Sequence, residues 1–320
     1  MKFQLIINDN LEKKGIVMNE PRMNPYIVLA IGVVAVSTSA ILVKLASSPA
    51  PVIAFYRLFF SVLLMLPIFF LKYRQELKII SKRDWVLSTV AGIFLAFHFI
   101  LWFESLNYTS VASSTVLVTL QPLFAFIGTY LFFQERVSYK AILSGALGVG
   151  GSVIISWGDF QISGMALFGY FLALVACAMV TAYLLFGQTV RKRLSLITYT
   201  FVVYGISTVT LFAYVVLLQY PILPNNNGDW IYFLLLAIVP TLLGHTLFNW
   251  SLKWVSTSII SISILFEPVG ASILAYFILD EKILWTQIIG GFVIILGISL
   301  FAVSGRKKKG SKELPTVHAS

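Results

Sequence analysis

Ten long apolar stretches run through the 320-residue sequence and constrain its fold more than any other feature. A helix that crosses the hydrocarbon core of a bilayer needs about 20 mostly apolar residues. Only 11% of the residues are charged, against about a quarter in an ordinary soluble domain. We therefore predict ten membrane-spanning helices, at residues 25–46, 51–71, 85–105, 110–133, 139–156, 164–187, 196–219, 230–251, 257–279 and 286–303.

The apolar runs are continuous rather than alternating, which predicts an all-α polytopic membrane protein. The single cysteine, Cys177, excludes a disulfide framework and an all-cysteine metal site. We find no Gly-x-Ser-x-Gly, His-Glu-x-x-His or phosphate-binding Gly-rich loop, so an enzyme is not expected. No metal and no cofactor are expected either, since no cluster of ligating residues occurs. No soluble segment is long enough for an ATPase domain, which argues against a primary pump.

The basic residues mark one side of the membrane. Of 23 Lys and Arg residues, 20 lie in the two tails and in the loops after even-numbered spans, whereas Lys282 alone lies in the alternate loops. Because positively charged loops stay in the cytoplasm, we predict a multi-pass protein of the cell membrane with both termini cytoplasmic. The net charge of +10 thus sets topology and does not indicate a nucleic-acid partner. Residues 1–24 lack the apolar region of a signal peptide, and residues 304–320 form a basic cytoplasmic tail.

The sequence repeats itself at an interval of 146 residues. Residues 106–156 align with 252–302 without a gap, so that Gln121-Pro122 matches Glu267-Pro268 and Glu135-Arg136 matches Glu281-Lys282. The repeat unit is five spans, which gives a first half at 25–156 and a second at 164–303. Because five is odd, the second half is expected to lie inverted relative to the first. Inverted repeats are typical of secondary transporters, whose site lies near the midplane between the halves.

Several short motifs lie in order along each half, and two of them are duplicated. They lie at residues 54–57, 105–110, 121–123 and 134–136 in the first half and at 267–269, 280–282 and 287–291 in the second. In order, spacing and duplication they resemble the EamA domain family of the drug/metabolite transporter superfamily. The resemblance implies ten helices in two inverted five-helix repeats and the export or uptake of small metabolites.

Glu267 is the foremost candidate for a functional residue, because ionisable groups inside a membrane are costly and usually functional. It falls in the middle of the ninth span, and Pro268 disfavours helix at that point, so we expect a helix break. A carboxyl removed from water binds a proton more readily. Glu267 could carry a proton or bind a substrate amine, or it could fix the kink by bonding a neighbouring helix. Gln121, before Pro122, occupies the matching position and cannot titrate.

Three further charged residues, Lys44, Arg57 and Glu104, fall at a similar depth near the outer ends of their spans. We predict a gate or packing ion pair between Arg57 and Glu104, with Lys44 extending its side chain towards the outer interface. The alternative is direct contact of Arg57 with a substrate carboxylate.

Two histidines complete the candidate set. His98 shares a helix face with Trp102, and His245 shares one with Asn249, because each pair is four residues apart. By pseudo-symmetry we expect His98 to line an outer vestibule and His245 an inner one, with helix packing as the alternative. Tyr199 is a candidate for the wall of an apolar cavity or for packing.

These observations predict a secondary active transporter. We expect it to export small metabolites such as amino acids or related compounds by alternating access, with proton coupling left open. The alternative is a passive channel or facilitator, and a receptor or an enzyme is less favoured. The expected partners are a small-molecule substrate and the lipid bilayer. Glycine-rich faces in the fifth and tenth spans favour close helix packing and leave a homodimer open.

Overall fold

The computed structural model describes residues 21, 23–134, 137–157, 164–224 and 226–307, in which it contains helices and no strand. Two π-helical segments, Phe69–Tyr73 and Ala237–His245, and a 3-10 helix, Arg74–Ile79, continue the α-helices Ala50–Ile68 and Asp229–Leu236. The helices are α1 (Pro25–Val36), α2 (Ser39–Leu45), α3 (Ala50–Ile68), α4 (Lys82–Ser105), α5 (Val111–Val118), α6 (Gln121–Phe133), α7 (Tyr139–Trp157), α8 (Gly164–Val190), α9 (Leu196–Leu217), α10 (Asp229–Leu236), α11 (Thr246–Ser251), α12 (Thr257–Ile264), α13 (Glu267–Leu279) and α14 (Trp285–Lys307).

Eight helical segments in the described part of the chain are long and apolar enough to cross a membrane. They correspond to all the predicted spans except the fifth and the tenth. In those two, the apolar stretches Tyr139–Ile155 and Trp285–Gly297 are shorter, so the total of ten stays a prediction. Residues 1–20 of the N-terminal tail, Glu135-Arg136, and residues 308–320 of the basic tail lie outside the described residues.

The two halves break their helices at equivalent positions. Helices α12 and α13 begin and end 146 residues after α5 and α6. The residues after α6 and α13, Gln134 and Asp280, are also 146 apart, and both adopt left-handed backbone conformations with φ of 53° and 55°. The repeat predicted from Gln121 and Glu267 is therefore present in the backbone as well as in the sequence.

The sequence accounts for these helix ends locally. Ser110 and Ser195 cap α5 and α9 by accepting hydrogen bonds from the backbone N–H groups of Ser113 and Thr198. These bonds satisfy amide groups that have no partner inside the helix. Proline follows the first residue of both α6 and α13. Since proline lacks an N–H group and disfavours helical geometry in the residue before it, each long span divides there.

Glycines allow α7 to pack closely against α14. A Cβ atom at Gly151 would lie 2.6 Å from the backbone oxygen of Gly290, so only glycine permits this approach. Ser144 in α7 also donates to the backbone oxygen of Gly297 at 2.6 Å. These glycine faces therefore serve packing within the chain, and the homodimer stays a prediction.

Candidate functional site

A small cavity lies where the helix breaks of the two halves meet. The cavity has a volume of about 20 Å³, which holds about one water molecule. Both halves contribute polar and apolar side chains to the wall. The polar residues are Ser39, His98, Trp102, Gln121, His245 and Glu267, and the apolar residues are Val36, Val118, Val180, Leu184, Phe248 and Ile264. Five of the seven predicted substrate or coupling candidates thus face one space.

Glu267 and Gln121 lie at equivalent helix starts on this cavity. Each is the first residue of its half-helix, so the positive ends of two helix dipoles lie beside the cavity. Glu267 is 6% exposed, and its carboxyl group makes no hydrogen bond among the described residues. Its backbone oxygen accepts from Ser37 Oγ at 3.4 Å. The carboxyl group is therefore available to a ligand.

Three other buried polar atoms in the wall have no hydrogen-bond partner among the described residues. They are the indole Nε1 of Trp102, the amide Oε1 of Gln121 and the imidazole Nδ1 of His245. Buried polar groups are nearly always hydrogen-bonded, because an unpaired one loses its hydration without compensation. The cavity thus presents one N–H donor, one acceptor and a histidine nitrogen, which a polar ligand could pair.

The two histidines lie in the same cavity, and not in separate outer and inner vestibules as predicted. Their ring centroids are 6.3 Å apart, and the ring of His98 stacks on Trp102 at 5.7 Å. His98 Nδ1 bonds the backbone oxygen of Ala176 at 3.0 Å. The prediction failed because the helices that carry the two histidines meet at this cavity, where His245 also contacts Phe99, the residue after His98, at a centroid distance of 5.3 Å. Asn249 does not line the cavity with His245.

Arg57 lies directly behind the cavity wall and is fully buried. Its Nε donates to Thr241 Oγ1 at 2.7 Å and its Nη1 donates to Ser39 Oγ at 2.8 Å, whereas Nη2 has no partner among the described residues. The guanidinium carbon lies 4.1 Å from the ring centroid of Phe99, a cation–π contact. Glu267 interacts with Arg57 electrostatically, but the two do not form an ion pair.

The predicted ion pair between Arg57 and Glu104 does not form. Glu104 accepts hydrogen bonds from Asn107 and Tyr108 in the turn after α4, at 3.3 and 3.2 Å, and its charge raises the pKa of Tyr108. Glu104 is satisfied locally because it lies in the last turn of its helix, whereas Arg57 extends towards Ser39. Lys44 donates to the backbone oxygen of Leu106 at 2.5 Å.

An aromatic and cationic layer separates the cavity from the predicted outer side. Phe99 contacts His245 at a centroid distance of 5.3 Å, and Phe103 packs against Phe99 at 5.6 Å. Beyond Phe103 lies a second cavity of about 80 Å³, which Lys44 and Asn107 also line. We call Arg57, Phe99 and Phe103 the outer barrier.

A cluster of buried polar and aromatic side chains closes the predicted inner side. Asn249 and Tyr199, two of the sequence candidates, are fully buried there and do not line the cavity. Asn249 Nδ2 donates to the Tyr204 hydroxyl at 3.4 Å, and Arg191 Nε donates to the backbone oxygen of Asn249 at 2.9 Å. Burial lowers the pKa of Arg191 to about 10. We call Arg191, Tyr199, Tyr204 and Asn249 the inner barrier.

An ionic contact ties the halves together on the predicted cytoplasmic face. The Asp84 carboxylate accepts from Arg193 Nε at 3.1 and 3.0 Å and also from Nη2, which raises the pKa of Arg193. Close by, Glu76 accepts from the backbone N–H of Ser195 at 3.2 Å. The two bonds join the start of α4 and the 3-10 helix before it to the loop between α8 and α9. We call the contact between Asp84 and Arg193 the inner latch.

A matching contact lies on the opposite face. Asp229 is the first residue of α10, and Asp84 likewise lies in the first turn of α4. A tryptophan follows each of them. The Asp229 carboxylate accepts from the backbone N–H of Ser47 at 3.0 Å, from the Ser47 hydroxyl at 3.1 and 3.2 Å, and from the Ser48 hydroxyl at 2.6 Å. We call these contacts the outer latch. Each latch joins the start of the third span of one half to the loop after the first span of the other.

Sequence reasoning missed several of these residues, among them Thr241, Asp84, Asp229 and Arg193. The available signal was the Asp-Trp pair at 84–85 and again at 229–230. A repeated acidic residue at the start of an apolar span has no role in crossing the bilayer, so its duplication indicates a role at the membrane faces.

Comparison with solved structures identifies a crystal structure of the same fold. It superposes with a TM-score of 0.71 at 16% sequence identity, over 89% of this chain and 99% of that one. At this identity the likeness shows the fold alone.

Sequence relatives carry transporter names. An "Uncharacterized transporter" from Archaeoglobus fulgidus is 25% identical, with 84% of this chain and 93% of the relative covered. The "Uncharacterized transporter YetK" of Bacillus subtilis is 25% identical, with 95% and 94% covered. The "S-adenosylmethionine uptake transporter" of Rickettsia bellii is 24% identical, with 82% and 86% covered.

The family comparison covers both halves of the chain. The EamA-like transporter family matches residues 23–157 and again residues 167–303. The two matches coincide with the two sets of broken helices, and with the membrane-spanning helices they describe a multi-pass membrane protein. The chain therefore belongs to the EamA-like transporter family.

Proposed function

We propose that this protein is a secondary active transporter that exports a small zwitterionic metabolite, such as an amino acid or a related compound, through the central cavity. The observation that carries the proposal is the set of unpaired polar groups on a cavity that both halves form. Glu267 and Trp102 lie on this wall, and Arg57 lies behind it. A buried charge without a partner is costly, so a ligand that pairs both charges would be stabilised there.

The charges suit a zwitterion. Glu267 can pair with an ammonium group, and the free Nη2 of Arg57 can pair with a carboxylate once Ser39 moves aside. An arginine fork matches the planar geometry of a carboxylate better than a lysine ammonium does. The name of the Rickettsia bellii relative, an "S-adenosylmethionine uptake transporter", also supports an amino-acid derivative as the substrate.

The size of the cavity favours alternating access over a channel. Small-molecule sites typically enclose about 300–1,000 Å³, whereas this cavity measures about 20 Å³. A metabolite can therefore enter only if the halves separate, and a barrier lies on each side of the cavity. Opening the outer and inner barriers in turn would carry the substrate across without forming a continuous pore. Two halves in inverted orientation would allow each to adopt the conformation of the other.

The basic loops support a cell-membrane protein with both termini in the cytoplasm. Export is proposed from the family resemblance, although the Rickettsia bellii relative is named for uptake. Flux should therefore be measured in both directions.

The test is counterflow in proteoliposomes that contain the purified protein. Vesicles loaded with an unlabelled amino acid should accumulate the labelled compound transiently and saturably, and protein-free vesicles should not. A panel that pairs each amino acid with its deaminated and decarboxylated analogues tests the two charges separately. Flux without saturation or counterflow would instead indicate a channel, and equal transport of all three analogues would refute recognition of a zwitterion.

A further inference from the structure

A large groove opens between α4, α6 and α8 on the outside of the helix bundle. The groove has a volume of about 620 Å³. Its deep part is apolar and aromatic, with Phe94 and Phe186 stacked at a centroid distance of 5.8 Å. Along α4 it extends from Arg83 to Phe94, about 16 Å at 1.5 Å per residue. That length suits most of a lipid acyl chain.

Cationic side chains surround one end of this groove. Arg83, Lys192 and Arg193 line it at the predicted cytoplasmic face. Asp84 forms its ion pair with Arg193 and acts on Arg83 only through electrostatic attraction, so neither Arg83 nor Lys192 forms an ion pair among the described residues. Lys192 Nζ lies 5.8 Å from the ring centroid of Phe133, at the junction of the cationic and apolar parts.

The second acidic residue described near this end, Glu76, does not neutralise it. Glu76 is engaged by Ser195 and acts on Arg191, which is itself buried. Glu135 and Arg136, which follow α6, lie outside the described residues and carry opposite charges. This end of the groove therefore carries a surplus of positive charge, because Arg83, Lys192 and Arg193 outnumber Asp84.

A second groove provides an internal comparison. It lies between α4 and α9, measures about 430 Å³, and has no charged residue in its lining, which includes Trp85, Phe201 and Gly205. A groove that merely accommodates bulk lipid needs no charge at its end, so the charged end of the first groove calls for a different ligand.

We propose that the groove between α4, α6 and α8 binds one anionic phospholipid from the cytoplasmic leaflet. The acyl chain lies against Phe94 and Phe186, and the phosphate lies between Arg83 and Lys192. Basic pockets between helix ends on the cytoplasmic side bind acidic head groups because the charges attract and the chain stays in hydrocarbon. The lipid bridges α4 of the first half to α8 of the second, so it would stabilise their contact.

The test is native mass spectrometry of the delipidated full chain with phosphatidylglycerol or phosphatidylcholine of identical acyl chains. Phosphatidylglycerol should be retained more strongly. The double variant Arg83→Ala, Lys192→Ala should weaken that binding about thirtyfold, which corresponds to about 2 kcal/mol at 1.4 kcal/mol per tenfold change. The matched control, Arg74→Ala with Lys78→Ala, also removes one arginine and one lysine from the same face and should leave it unchanged.

A second variant tests the acyl chain without altering charge. Ala182→Phe fills the groove and should weaken both lipids, whereas Gly205→Phe, which fills the uncharged groove, should not affect phosphatidylglycerol. Equal retention of the two lipids would refute the proposal, as would equal losses in the two double variants. Displacement of phosphatidylglycerol by soluble glycerol phosphate would refute a lipid ligand and indicate a free anion. None of these outcomes depends on transport, so the lipid site can fail while the transport proposal stands.

Discussion

The two latches should control, in opposite directions, which membrane face reaches the central cavity. A substitution in the outer latch should have the larger effect, because Asp229 accepts hydrogen bonds from one backbone N–H and two hydroxyl groups and is only 1% exposed. In Asp229→Asn one of the two acceptor oxygens becomes an NH2 group. Hydrogen bonds to a charged group contribute about 1.5–3 kcal/mol each.

The net effect on the outer latch can be worked out from these contacts. About two such bonds are lost, but Ser47 is exposed and its hydroxyl can bond to water. We therefore expect Asp229→Asn to destabilise the state with a closed outer side by about 2 kcal/mol. That corresponds to about a thirtyfold shift of the equilibrium towards the outward-open state.

The inner latch provides the opposing variant. The Arg193 side chain is 45% exposed, so solvent screens its bond to Asp84. We therefore expect Asp84→Asn to destabilise the state with a closed inner side by about 1 kcal/mol. That corresponds to about a fivefold shift towards the inward-open state.

The assay is thiol accessibility from each side of the membrane. Val180 lines the cavity, so Val180→Cys in a Cys177→Ser background is a single-cysteine reporter. An impermeant thiol reagent should label it faster from outside in Asp229→Asn and faster from inside in Asp84→Asn. General destabilisation would raise labelling from both sides in both variants, and that result would refute the reasoning.

Three further substitutions test the cavity and the packing. Glu267→Gln should remove the pH dependence of exchange in proteoliposomes, and full rate with an unchanged pH profile would exclude a proton carrier at this position. Arg57→Lys loses the forked donors to Ser39 and Thr241 and should lower counterflow about tenfold or more, with normal membrane insertion. Gly151→Leu should cost about 1–3 kcal/mol and lower the melting temperature, since its side chain would clash with the Gly290 backbone; Gly150→Leu, which meets nothing within 4 Å, should not.

The repeat and its helix breaks could be predicted from the sequence because they depend on residue type. Proline lacks a backbone donor wherever it occurs, and a carboxyl or amide at mid-span is rare enough to stand out. The match of Gln121-Pro122 with Glu267-Pro268 therefore predicted both the internal repeat and the position of the cavity. The pattern of positive charges predicts the sidedness in the same way, from composition rather than from packing.

The arrangement of the site was less predictable because it depends on helix rotation. The ring of His245 meets the ring of His98 in one cavity, and nothing in the spacing of His245 and Asn249 indicates this. Glu104 was the predicted partner of Arg57 because the two residues lie at a similar depth. It extends to Ser39 and Thr241, which are 18 residues before it and 184 residues after it in sequence. Such contacts follow from tertiary packing, which residue spacing alone does not determine.

The most direct measurement of the central claim is protection of the cavity by substrate. A membrane-permeant thiol reagent is applied to Val180→Cys, in the Cys177→Ser chain, with and without the metabolite identified by counterflow. Labelling should slow about tenfold at about ten times the dissociation constant, while Val209→Cys in the uncharged groove should react at the same rate throughout. A transported metabolite that leaves Val180→Cys unprotected would contradict the assignment of this cavity as the transport site.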